Sequence, residues 1–256
     1  MPNSGIHAGI SELRHPTWWN ADAALLRRRL CGGIVAAAES IAMNAVSPSL
    51  LADLRRGDLT SLRAILFGRT RGPALTALLD ARLEALNLFT LLAFAAHYGQ
   101  ADAVQLLLES GASVGATAGG GCSALFAACQ EGQLECVRLL LEASAAVDQA
   151  AVGGVTPLYI ACLKGHLECA RLLLAAGAAV NQAKHAGTTS LYVACFKGHV
   201  EICRLLLGAS AAVNQAKDGG FTPLHIACLE GHPAVVLCLL RSGADAAART
   251  SAGRTA

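Results

Sequence analysis

Thr222-Pro223-Leu224-His225-Ile226-Ala227 reads as the opening of a short helix. A threonine can cap a helix N-terminus with its hydroxyl, and proline is tolerated at the first helical position. Working outward, related tetrads recur upstream at steps of 33 residues: Thr189-Ser190-Leu191-Tyr192, Thr156-Pro157-Leu158-Tyr159 and Ser123-Ala124-Leu125-Phe126. Thr90-Leu91-Leu92-Ala93 is a weaker copy one step earlier, and Thr255-Ala256 falls one step after Thr222. Other columns keep the same step: Gly132, Gly165, Gly198 and Gly231; Leu140, Leu173, Leu206 and Leu239; His166, His199 and His232. A fixed period of this length is the mark of a stacked repeat architecture.

One period, residues 156–187, carries its own structural instructions. Thr156 and Pro157 start a helix on which Leu158, Ala161 and Cys162 share one face. Gly165 ends it, as expected where the chain turns left-handed. A second helix is expected near 167–176, with Leu173 and Leu174 directed inward and Gly177 as its stop. Residues 180–187 then extend as a finger. Such a unit cannot bury its apolar faces alone, so stacking must supply the core. The helix-stop column alternates as Gly111, Ser144, Gly177, Ser210 and Gly243. Serine there is expected to sit left-handed at a cost of about 1 kcal/mol relative to glycine.

At these residues the chain resembles the ankyrin repeat, whose signature is Thr-Pro-Leu-His-x-Ala. Thr222–Ala227 matches that signature fully, and Gly-His before a leucine-rich helix matches it again. The resemblance covers about residues 85–256. It implies an all-α repeat solenoid, each repeat a helix-turn-helix plus a β-hairpin finger, in a curved stack. Repeats are placed to start near 88, 121, 154, 187 and 220, followed by a truncated sixth, within a domain spanning 88–256. Residues 49–87 read as a degenerate capping repeat with an insertion that has a helical pattern at 75–86. Its Leu51-Ala52-Asp53-Leu54 stands for a first helix, Gly57-Asp58-Leu59 for the turn and 62–66 for a second helix. Residues 1–48 are a non-repeat leader, read as a helical cap. The complete unit at 221–243 has no evident polar cap after it, so the chain reads as a fragment, a truncated gene product or a protein whose partner covers that end.

Composition excludes several classes. Of 256 residues, 54% are hydrophobic and 15% charged, which argues against disorder. The longest apolar runs, such as 30–38 and 172–180, fall well short of the roughly 18 residues of a membrane span. A net charge of +2 gives no nucleic-acid signal. Ten cysteines need explaining. Cys129, Cys162, Cys195 and Cys228 form one column, with Cys136 and Cys169 in another. Packed helices lie about 8–10 Å apart, whereas a disulfide needs Cα atoms within about 7 Å. These cysteines therefore read as small buried apolar side chains. There is no Cys-x-x-Cys spacing for zinc. Many free thiols point to a reducing compartment, cytoplasm or nucleus, with organelle targeting by residues 1–48 left open.

No catalytic constellation stands out, no cofactor is implied, and the chain reads as a non-enzyme. Gly119-Gly120-Gly121 lies in a finger, away from any strand-to-helix phosphate loop. Glu135 with Arg138, Glu168 with Arg171 and Glu201 with Arg204 read as i, i+3 pairs on a solvated helix face. The finger asparagines Asn181 and Asn214 occupy the position hydroxylated in some ankyrin repeats, but Ala179 and Ala212 stand where that modification prefers an acid.

The resemblance implies a non-catalytic protein–protein interaction module that binds a partner protein on its concave face. By alignment that face carries Val152, Val155, Leu163, Lys164, His185, Thr188, Phe196, Lys197, Phe221, Leu229 and Glu230. Leu163, Phe196 and Leu229 share a column just before the helix-ending turn, where a tip beside solvent needs no large apolar group. They either meet a partner or fold back onto neighbouring repeats. The alternative function is an adaptor that delivers a bound client to an enzyme complex.

Overall fold

The computed structural model describes residues 48–67, 79–80 and 89–256. Twelve α-helices lie among the described residues, in six pairs. They are α1 Pro48–Arg56 and α2 Thr60–Phe67, α3 Leu91–His97 and α4 Ala101–Glu109, α5 Ala124–Glu131 and α6 Leu134–Glu142. There follow α7 Pro157–Lys164 and α8 Leu167–Ala175, α9 Ser190–Lys197 and α10 Val200–Gly208, α11 Pro223–Leu229 and α12 Pro233–Arg241. The expected leader, residues 1–48, lies outside the described residues except for Pro48, and so does most of the expected insertion.

Each first helix begins as its sequence requires. The hydroxyls of Thr90, Ser123, Thr156, Thr189 and Thr222 accept from the backbone N–H three residues on, at 3.1–3.4 Å. This satisfies a helix-end donor that has no partner within the helix. His225 adds the reciprocal half of a capping box. Its Nδ1 accepts from the Thr222 N–H at 3.3 Å, while Nε2 lies 3.1 Å from the Arg254 carbonyl. A carbonyl only accepts, so Nε2 carries the proton.

The second helices end in left-handed residues. Ser144 has φ 64° and Ser210 has φ 65°, beside Gly111, Gly177 and Gly243 at 85–92°. The N–H after each reaches back to a helix carbonyl, as in Ala145 to Leu140 and Ala211 to Leu206, both 2.9 Å. That six-to-one bond closes a Schellman motif.

The helices stack as two rows. First helices α3, α5, α7, α9 and α11 touch in sequence, and so do second helices α4, α6, α8, α10 and α12. The first-helix row is the more closely packed, and we call its side of the stack the inner side. One continuous core results, and Leu158, Ala161, Cys162 and Leu173 are fully buried in it. The fingers are tighter than the expected hairpins. Each is a short turn closed by one backbone bond, Lys184 N–H to the Thr188 carbonyl and Lys217 N–H to the Phe221 carbonyl, both 3.0 Å. Isolated bridges at Thr117–Ser123 and Ala151–Val155 stand in place of strands.

Two ladders tie unit to unit. In one, a side chain donates to the last turn of the preceding first helix: Gln100 to the Arg55 carbonyl at 3.1 Å, Gln133 to His97 at 3.4 Å, His166 to Gln130 at 3.2 Å and His232 to Phe196 at 3.1 Å. In the other, finger side chains accept a backbone N–H of the next unit. Asp148 accepts from Ala179, Asn181 from Ala212 and Asn214 from Asp245, at 2.7–3.1 Å. The degenerate unit joins the first ladder through Arg55, whose guanidinium also lies over the rings of Phe94 and Tyr98.

Candidate interaction surface

The inner row and the fingers bring most of the sequence-derived candidates to one side. Val152 stands out at a finger tip with 59% of its surface exposed. His185, Lys164, Leu229 and Glu230 are exposed, while Leu163, Lys197 and Phe221 are half-buried.

Three candidates do not belong to the surface. Phe196 is only 7% exposed, and Val155 and Thr188 are buried as well. Phe196 folds back into the stack because the following repeat covers its slot, and its carbonyl receives the His232 imidazole. Val155 and Thr188 form finger stems whose carbonyls accept the closing bonds from Ala151 and Lys184. Leu229 occupies the same column as Phe196, yet it is 49% exposed. It lies in the last described unit, where no further repeat lies over it.

The charges sort by face. On the second helices, Arg138 pairs with Glu135, Arg171 with Glu168 and Arg204 with Glu201, at 2.9–3.4 Å. These exposed pairs close the outer face of the interior units with mutually neutralised charge. α12 departs from them, because Ala234 and Leu237 stand where α10 has Glu201 and Arg204. On the inner side the lysines lie against rings instead. Lys184 Nζ is 5.7 Å from the Tyr159 ring centre, Lys197 5.0 Å from Phe196, and Lys217 5.6 Å from Tyr192 and 5.7 Å from Phe221. Burial depresses the Lys217 ammonium, neighbouring Lys184 depresses it further, and Asp218 opposes both.

The nine described cysteines are free and seven of them are buried, but Cys228, in the column of Cys129, Cys162 and Cys195, is exposed against expectation. Burial pushes the Cys122 thiol up to about 12 and Cys136 up to about 11. Such thiols are poor nucleophiles. One contact was not legible in the columns: Cys195 and Cys203, on paired helices α9 and α10, place their sulfurs 3.7 Å apart. The hydrogen bond between them and burial together raise the Cys195 thiol.

The histidine column is structural. The His199 imidazole is held below its ordinary value, chiefly by burial, and it also bonds to the Leu163 backbone. In the sequence this column shows three histidines. The structure extends it to Gln100 and Gln133, whose carboxamides fill the same role. The signal was present, since both lie on the same 33-residue step.

Among the described residues, no group of three His, Cys, Asp or Glu side chains converges as a metal site. No helix among them is long and apolar enough to cross a membrane.

Paired helices on a fixed step, joined by capped turns and closed fingers, define a helical repeat stack. The family model described as ankyrin repeats, in three copies, matches residues 92–184 and 176–250, together more than half of the chain. The chain belongs to the ankyrin-repeat family. Comparison with curated proteins gave no match. Ankyrin repeats are, as a class, protein-interaction modules without catalytic residues of their own.

Proposed function

We propose that this protein binds a partner protein on the inner face built by the fingers and first helices, and that it performs no chemistry there. The observation that supports this is the contrast between faces. The outer face of the interior units is closed by Glu–Arg pairs, whereas the inner face presents exposed Val152 and Leu229 beside lysines held against rings. Exposed apolar groups ringed by polar ones favour protein contact. The adaptor reading requires a second surface, and residues 1–48, expected to supply it, lie outside the described residues except for Pro48.

The test is partner capture with cross-linking and mass spectrometry. Val152→Ser with Leu229→Ser should lose the captured proteins while leaving the thermal melt nearly unchanged, because both side chains are largely in solvent. Arg138→Ala with Arg171→Ala, on the outer face, should keep them. The reverse pattern would assign binding to the second helices.

A further inference from the structure

The chain has only four lysines, Lys164, Lys184, Lys197 and Lys217, and all its other cationic side chains of fixed charge are arginines. The four fall in two repeat columns and in two adjacent units. Lys164 and Lys197 end the first helices α7 and α9. Lys184 and Lys217 open the fingers that follow. None of the ion pairs among the described residues uses a lysine, although three outer-face arginines each have a glutamate.

This arrangement is costly in the free protein. Lys184 lies close enough to disfavour charge on Lys217, which is also partly desolvated. Solvated surface charge does not require such crowding, and alternating Glu and Lys would avoid it. Aromatic rings hold three of the four ammonium groups in place. A cation steadied on a ring face loses less freedom when it pairs with an anion.

Resting on the inner-face reading above, we infer that the strip between Lys164, Lys184, Lys197 and Lys217 takes an extended acidic segment of a partner protein. The spacing specifies that segment further. Neighbouring helices lie about 8–10 Å apart, and an extended polyproline II segment advances about 3.1 Å per residue with three residues per turn, so that every third side chain shares one face. Carboxylates about three residues apart therefore meet lysines of successive units. The strip is also short. In the helix-end column Glu131 precedes Lys164 and Glu230 follows Lys197, and Asp218 adjoins Lys217. A nucleic-acid backbone, with its unbroken run of phosphates, would meet those carboxylates. A protein segment can place its acids in the middle and apolar residues at its ends, toward Val152 and Phe221.

The probe is a fluorescein-labelled peptide with the core Leu-Glu-Ser-Thr-Glu-Leu, titrated by anisotropy with the full chain. Its counterpart carries Gln for both Glu, and a labelled oligouridylate is the nucleic-acid arm. The Glu peptide should bind about tenfold more tightly than the Gln peptide, as expected for a few partly screened ion pairs. Lys184→Gln with Lys217→Gln, and Lys164→Gln with Lys197→Gln, should each shrink that ratio, while Arg138→Gln with Arg171→Gln should not. Equal affinities, absence of binding, indifference to both lysine pairs, or tighter binding of oligouridylate would each overturn the acidic segment. The inner-face reading is judged separately. Partner capture lost in the Val152/Leu229 variant without any Glu preference overturns the acidic partner alone. Capture that survives in that variant overturns the face itself.

Discussion

Ser144, Ser210 and Ala186 each hold an L side chain at a φ of 64–66°. The corresponding slots elsewhere are filled by glycine: Gly177 for the two serines, and Gly153 and Gly219 for Ala186. Each non-glycine residue there costs about 1 kcal/mol of local strain, part of which glycine returns as unfolded-chain entropy. Ser144→Gly, Ser210→Gly and Ala186→Gly are each expected to stabilise the protein by about 0.5 kcal/mol, and to raise the melting temperature by about 1–2 °C. A differential scanning fluorimetry series reads this directly, and three unchanged or lowered midpoints would show that the turns are not strained. The serine positions were legible in the sequence because they interrupt a glycine column. Ala186 interrupts a glycine column too, but an expected extended finger does not call for positive φ there, so its strain shows only in the backbone angles.

At the scale of elements, the turn between paired helices joins neighbouring units. A Cβ built on Gly165 would lie 2.9 Å from the His199 ring, whereas one on Gly231 would meet nothing within 4 Å. Both glycines have positive φ, so alanine strains both turns alike. Only at Gly165 must the substitution also displace the imidazole that bonds to α7. Gly231→Ala should therefore cost about 1 kcal/mol and Gly165→Ala about twice that, measured by urea denaturation. Equal costs would mean that the His ladder adjusts freely. The same logic explains why the helix-tip column stays open between surface and core in the sequence. Leu163, Phe196 and Leu229 look alike along the chain, but their burial depends on what the next unit lays over them.

For the whole molecule, stability is a sum over units and the interfaces between them. Among the described residues the pair α11–α12 has a neighbouring unit on one side only, and Leu229, Leu237 and Leu240 are exposed there at 43–56%. Hydrogen exchange followed by mass spectrometry should show the amides of α11 and α12 opening at lower free energy than those of α7 through α10. Uniform protection would mean that the stack unfolds as one block.

Much of this fold was written locally. Threonine caps, glycine stops and leucine columns act within a few residues, so helix positions, the 33-residue step and the cysteine columns, buried except at Cys228, followed from short-range chemistry. The apolar, aromatic-poor composition has the same origin, since thin stacked units offer slots for Ala, Leu and Cys and few for large rings. The face that each side chain finally presents was decided only in three dimensions. Burial of Phe196, Val155 and Thr188, the Cys195–Cys203 contact, and the placing of three of the four lysines over aromatic rings all depend on how one unit lies against the next. A repeat sequence specifies the unit through local bonds, but exposure is a property of the interface between units, and that interface exists only once the stack has formed.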